Sequence, residues 1–290
     1  MLEGAARMRV RDDTGTTHGG GFRMQKKQLS CARWRPAAAG ASGCACAAYI
    51  VLPTHRVQPE SRQTTMRFDM FSCVHKAQRY AMCEAMLQVS SLNPYSAPDV
   101  VYVLKQVNDM LDYHAVLIDH VAVHVVYRME MHAPGSSDAV ARLCSERRLA
   151  LARMRDVHHA ASALGDRMSG ETLAALQQHL NAFVARALNR MDSIAREVNR
   201  VLRRVLPDEA LAGFEEAMVT APAPGALRCS MQWMLPALNP DERLRLHAVL
   251  GRRLGPDFAA ATLAMGKDLL SRDDFRHLQR ESVSREAALA

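Results

Sequence analysis

Between Pro98 and Pro134 the chain has no internal proline or glycine, and its apolar side chains recur every three or four residues. That spacing predicts a helix with Val100, Val103, Val107, Leu111, His114, Leu117, Ile118, Val121 and Val125 along one stripe. Ser96 offers an N-cap ahead of Pro98 in the first turn, and Ala133-Pro134-Gly135 stops the helix near His132. A helix of about 35 residues with one continuous apolar seam needs partners of comparable length to cover it.

Three further segments meet that need. Residues 68–89 carry Phe71, Val74, Gln78, Ala81, Met82, Ala85 and Val89 on one face and end before Asn93-Pro94. Residues 137–164 present Val140, Leu143, Leu151, Met154, Val157 and Ala161, with Gly165 as terminator. Ser169 with Thr172 makes only a partial capping pattern, after which Leu173, Leu176, Leu180, Phe183, Val184, Ala187, Met191, Ile194 and Val198 carry a stripe on to Val205. Four long helices and short turns predict an all-α fold, an up-down-up-down four-helix bundle over 66–205. Shorter helices are expected at 208–219, 227–235, 240–250, 257–270 and 273–281, folded back as a C-terminal helical extension (206–290) packed on the bundle. The palette agrees: 49% of residues are hydrophobic but only 5% aromatic, with 17 Met.

The pattern begins at Met66. Residues 1–65, with Gly19-Gly20-Gly21, a basic patch and an Ala-rich stretch, read as a disordered tail, or as a misplaced start if synthesis begins at Met66. Of the net charge of +7, the tail holds ten basic and four acidic residues, leaving 27 against 26 in the rest. A nearly neutral folded part does not suit a phosphate-neutralising surface, so no nucleic-acid partner is expected. No apolar run reaches the length of a membrane span, and the short stretch 49–52 lies too far from Met1 for a secretory signal. Seven cysteines, odd in number and without CxxC spacing, favour reduced thiols and a cytoplasmic protein.

Four segments carry a resemblance: MRFDMFSCVHKAQRYAMCEAML (66–87), MHAPGSS (131–137), HLNAFVARALNRM (179–191) and above all MQWMLPALNPDERLRL (231–246). Together they resemble bacterial proteins of the hemerythrin-like (HHE cation-binding) family that carry a C-terminal helical extension. The resemblance implies a bundle holding two irons through His and carboxylate ligands, used for oxygen binding or redox sensing rather than as an enzyme. Imidazole and bridging carboxylate suit iron, and helical spacing sets such pairs on one inward face.

Carried over position by position, the resemblance places a first ligand at His75 in VHKAQR. In the second helix the implied ligand positions fall on Leu117, Val121 and Val126, in the third on Glu146-Arg147, and in the fourth on Arg190-Met191 and Ile194-Ala195. Hydrocarbon cannot ligate iron, and an inward Arg147 or Arg190 would repel it.

His75 and His114 are the candidate metal ligands, because both fall on buried stripes. There they would either share one metal or serve as satisfied core histidines. His120 and His124 stand four residues apart, able to share a metal, but off the stripe and so expected to face solvent or a neighbouring subunit. His158 and His159 diverge, and His132 complements a helix end. No GxSxG, phosphate loop or HExxH occurs. Two functions remain: a hemerythrin-like protein whose partners are a metal ion or O2, or a degenerate, metal-free bundle acting as a structural or protein-interaction module.

Overall fold

A computed structural model describes residues 68–289, except the side chains of Pro224 and of 285–289. Every regular element among the described residues is helical. Helix α1 spans Ser72–Ser90, and α2 (Ala97–His120) runs through a π-helical segment (Val121–Val126) into α3 (Tyr127–His132). The two longest helices follow, α4 (Ser137–Asp166) and α5 (Gly170–Leu202). Five shorter ones complete the chain: α6 (Asp208–Thr220), α7 (Pro224–Ala237), α8 (Pro240–Leu254), α9 (Pro256–Leu269) and α10 (Arg272–Leu289). The all-α class is as expected. The proposed tail and the alternative start at Met66 lie outside the described residues. No helix among the described residues is long and apolar enough to cross a membrane.

Local chemistry accounts for several boundaries. Ser169 Oγ accepts from Thr172 N at 3.2 Å while Thr172 Oγ1 accepts from Ser169 N at 3.3 Å, so the capping box that looked partial is complete. Asn239 and Glu242 make the same reciprocal pair at the start of α8. Gly255, at φ 94, takes the left-handed conformation that lets α8 turn into α9, where a side chain would be strained.

Two expectations need correction. Gly165 does not stop α4, which runs on to Asp166. A Cβ at Gly165 would meet Leu104 Cδ1 of α2 at 3.4 Å, close to an ordinary van der Waals contact. Nor is the long second helix uniformly α-helical. Its π-helical turns slip the apolar stripe, so that Val125 and Met129 are buried while Val121 is only half-buried.

Helix α1 packs against α2 and α5, and α4 packs against the same two. Their shared core includes Phe71, Met82, Met110, Leu176, Phe183 and Met191. Helix α7 lies along α1 and brings in Met231, Trp233 and Met234. Contact on that many sides explains the run of buried alanines in α1 (Ala77, Ala81 and Ala85), since small side chains let neighbours approach closely. The entry to α1 is tied to the far end of α5: Asn199 Nδ2 donates to Asp69 Oδ1 at 2.7 Å and Arg203 Nε to the Phe68 carbonyl at 2.9 Å.

Candidate functional site

The core is not uniformly apolar. In the C-terminal part of α2, His114 is 1% exposed, with its ring edge-on to Phe183 of α5 at a centroid distance of 5.1 Å. Both ring nitrogens are engaged. The Gln78 side-chain amide of α1 lies 3.0 Å from Nδ1, and Arg190 Nη2 of α5 lies 3.3 Å from Nε2. A guanidinium can only donate, so Nε2 must accept and the proton must sit on Nδ1. The Gln78 amide therefore turns its oxygen to His114 and accepts that proton. Three helices thus meet in one polar chain, Gln78–His114–Arg190.

Electrostatics enforce that state. Burial, reinforced by the Arg190 charge and by His75, depresses the His114 pKa to about 3, so the ring stays neutral at physiological pH. His75 is buried too, its ring stacked on Phe71 at 5.0 Å. Burial pulls its pKa to about 4, with Asp69 acting in the opposite direction. Burial also lowers Arg190, to about 10, against the raising field of Glu146, and the group keeps its charge at neutral pH. Its Nε is buried without a hydrogen-bond partner. A cation whose closest acceptor is a neutral imidazole is poorly compensated.

Arg190 borders three spaces. One, of about 20 Å³, is shared with His75, Gln78 and His120 and has room for a single water. A second, of about 10 Å³, is walled by Val121, Val126, Arg147 and Ile194. The third is an open pocket of about 460 Å³ between α4 and α5, with His114, Phe183, Arg153, Arg186 and Glu146 among its walls.

These surroundings do not fit a pair of irons. Four of the positions to which the resemblance assigns ligands gather around Arg190, but they present hydrocarbon and guanidinium in a space far too small for two metals about 3.5–4 Å apart. His75 and His114 border different spaces, and both nitrogens of His114 are already engaged. Among the described residues no group of three or more His, Cys, Asp or Glu is placed to hold a metal ion.

Arg147 lies towards the surface, its Nη2 donating to Asp119 Oδ1 at 2.6 Å. His120 and His124 are half-buried rather than solvent-facing, with ring centroids 5.5 Å apart. His120 Nδ1 lies 3.4 Å from the Met218 carbonyl of α6, which occupies the side expected to be open. His158 and His159 are both exposed, and His132 stacks on Phe214 of α6.

Sequence reasoning missed a second polar cluster where α1, α6 and α8 meet. Glu215, Glu242, Cys73 and Arg245 line a pocket of about 320 Å³, and Lys76 Nζ lies 2.5 Å from Glu242 Oε1. Burial pushes the Glu215 carboxyl up to about 6 and the Cys73 thiol far above its usual range, which makes that thiol a poor nucleophile. It also missed Arg153 and Arg186. The available signal was Arg186 and Arg190, one helical turn apart beside Phe183 and Ala187. Comparison of the chain with protein-family models, with curated proteins and with solved structures yields no match.

Proposed function

We propose that this chain is a metal-free helical bundle that acts by binding, as a scaffold or interaction module, and not through iron or oxygen chemistry or as an enzyme. In this reading α1, α2 with α3, α4 and α5 are the four members of an up-down-up-down bundle. The contacts of α1 and α4 with both α2 and α5 support that arrangement, and α6 to α10 form the extension. The observation that carries the functional reading is Arg190 on His114 Nε2, where a protonated side chain engages a nitrogen that a metal would need. The iron reading rests on the resemblance of four segments and has no matching set of donors among the described side chains.

The test is the metal content and visible absorption of the full chain purified from iron-rich medium, beside His75→Ala and His114→Ala. The expected result is a helical, colourless protein without bound iron in all three. Two irons per chain with an oxo-bridge charge-transfer band, or substoichiometric metal lost in either variant, would overturn the reading.

A further inference from the structure

We propose that the pocket between α4 and α5 is a binding site for a small organic anion, a carboxylate or phosphate on an apolar body, held by Arg153, Arg186 and Arg190. The space of about 460 Å³ falls within the range of small-molecule sites, about 300–1,000 Å³. Its walls carry three guanidinium groups against one carboxylate, Glu146. That carboxylate sits on an exposed residue and makes no hydrogen bond among the described residues, so it does not occupy the arginine donors.

Each arginine has donors to spare. Arg186 makes neither an ion pair nor a hydrogen bond among the described residues. Arg153 pairs with Asp156 at 3.2 Å, one turn along the same helix and half-exposed, an arrangement that holds a side chain only weakly. Arg190 meets a neutral imidazole through Nη2, and its Nη1 makes no hydrogen bond among the described residues. Planar guanidinium forks match carboxylate and phosphate oxygens better than any other side chain does. Phe183, Leu149 and Ala187 supply the apolar part of the wall, which calls for a ligand with hydrocarbon or an aromatic ring behind its charge.

The site excludes two other ligand classes. A metal ion or organic cation would face the three guanidinium groups, and a duplex would need a basic surface broader than one recess in an almost neutral domain. The back wall also gives the site a reporter. A bound anion would compete with His114 Nε2 for the Arg190 donors, so occupancy should be visible at a histidine buried beneath the pocket. The inference rests on the metal-free reading only in requiring Arg190, and not iron, on that wall.

The experiment is calorimetric titration of the full chain in low-chloride buffer with benzoate, phenyl phosphate, inorganic phosphate and benzylamine. Benzoate or phenyl phosphate should bind, and which binds more tightly distinguishes a carboxylate site from a phosphate site. Benzylamine should not bind, and inorganic phosphate should bind more weakly than phenyl phosphate. Arg186→Gln, a change at an exposed residue that should leave the fold intact, should weaken the anion by about tenfold, the worth of one charge-assisted hydrogen bond. Arg148→Gln, on α4 but outside this pocket, should leave affinity unchanged. Failure of both organic anions to bind, equal binding of benzylamine, or an affinity indifferent to Arg186→Gln would each overturn the proposal. Iron in the same preparation would refute the metal-free reading separately, because the Arg186→Gln comparison is read from anion heat alone.

Discussion

Buried Arg243 and half-buried Arg190 both carry a charge into the helical core, and their surroundings differ. Arg243 of α8, 7% exposed, donates from Nε to the Leu235 carbonyl near the end of α7 at 2.7 Å. Its Nη1 stands 3.0 Å from Asp274 Oδ1 at the start of α10, close enough to pair in charge though poorly angled for a hydrogen bond. Its charge is therefore compensated, and the residue pins three helices together. Arg190 has a neutral imidazole, an exposed glutamate at longer range and an orphaned Nε. The difference separates a cation that fastens the fold from one that leaves donors free beside a pocket, and a buried charge held without a matched partner is the better pointer to a binding role.

The largest predicted effect comes from removing the fastener. Arg243→Ala should cost about 3 kcal/mol, since it leaves the Leu235 carbonyl unpaired and empties buried volume. The check is a lower urea midpoint at unchanged slope. A loss under about 1 kcal/mol would dissolve the contrast between the two arginines.

Acid comes next. His75 and His114 are held neutral when folded, with pKa near 4 and 3, whereas the unfolded chain takes up protons from about pH 6.5 downward. The folded state then binds fewer protons, so stability is full above about pH 6.5 and is lost as pH falls towards 4. Glu215 acts with the opposite sign: its folded pKa, near 6, exceeds the ordinary carboxyl value, so protonation below pH 6 relieves a burial cost. Two imidazoles outweigh one carboxyl, and urea midpoints at pH 7 and pH 4.5 should show a net loss. A flat profile would mean that the histidines are not buried neutral.

Smaller changes sharpen the comparison. Arg190→Met should leave stability within about 1 kcal/mol of the parent or raise it, because an imperfectly matched buried charge is replaced by hydrocarbon of similar length. Asp274→Asn should cost no more than about 1 kcal/mol, given that the Asp274 side chain is 40% exposed and its attraction to Arg243 is screened by water. If Asp274→Asn matched Arg243→Ala in cost, the ion pair rather than the Leu235 carbonyl would be what holds Arg243.

Periodicity and caps carried the helices a long way. Ser169 with Thr172, Asn239 with Glu242 and Ser271 with Asp274 cap helices in the structure, because capping is a contact between residues a few positions apart. The π-helical turns at 121–126 were not legible, since an apolar stripe read at one helical period carries no mark of where the winding changes. The site was half legible. His75 and His114 stood out as polar residues on apolar stripes, and Gln78 sat on the same stripe as the future neighbour of His114. Arg190 stood out only as a cation at a position where the resemblance implies a ligand. That it donates to His114, across 76 positions, follows from how α5 packs beside α2 and leaves no trace in local spacing.

The most direct test of the account is the tautomer and protonation state of His114, read from long-range ¹H–¹⁵N correlations of the imidazole rings in the full chain and assigned with His114→Ala. The account predicts a neutral ring at pH 7, protonated on Nδ1, with Nε2 accepting a hydrogen bond, and no imidazolium signal until well below pH 5. A ring protonated on Nε2, a charged ring near neutrality or a ring broadened by bound iron would contradict it.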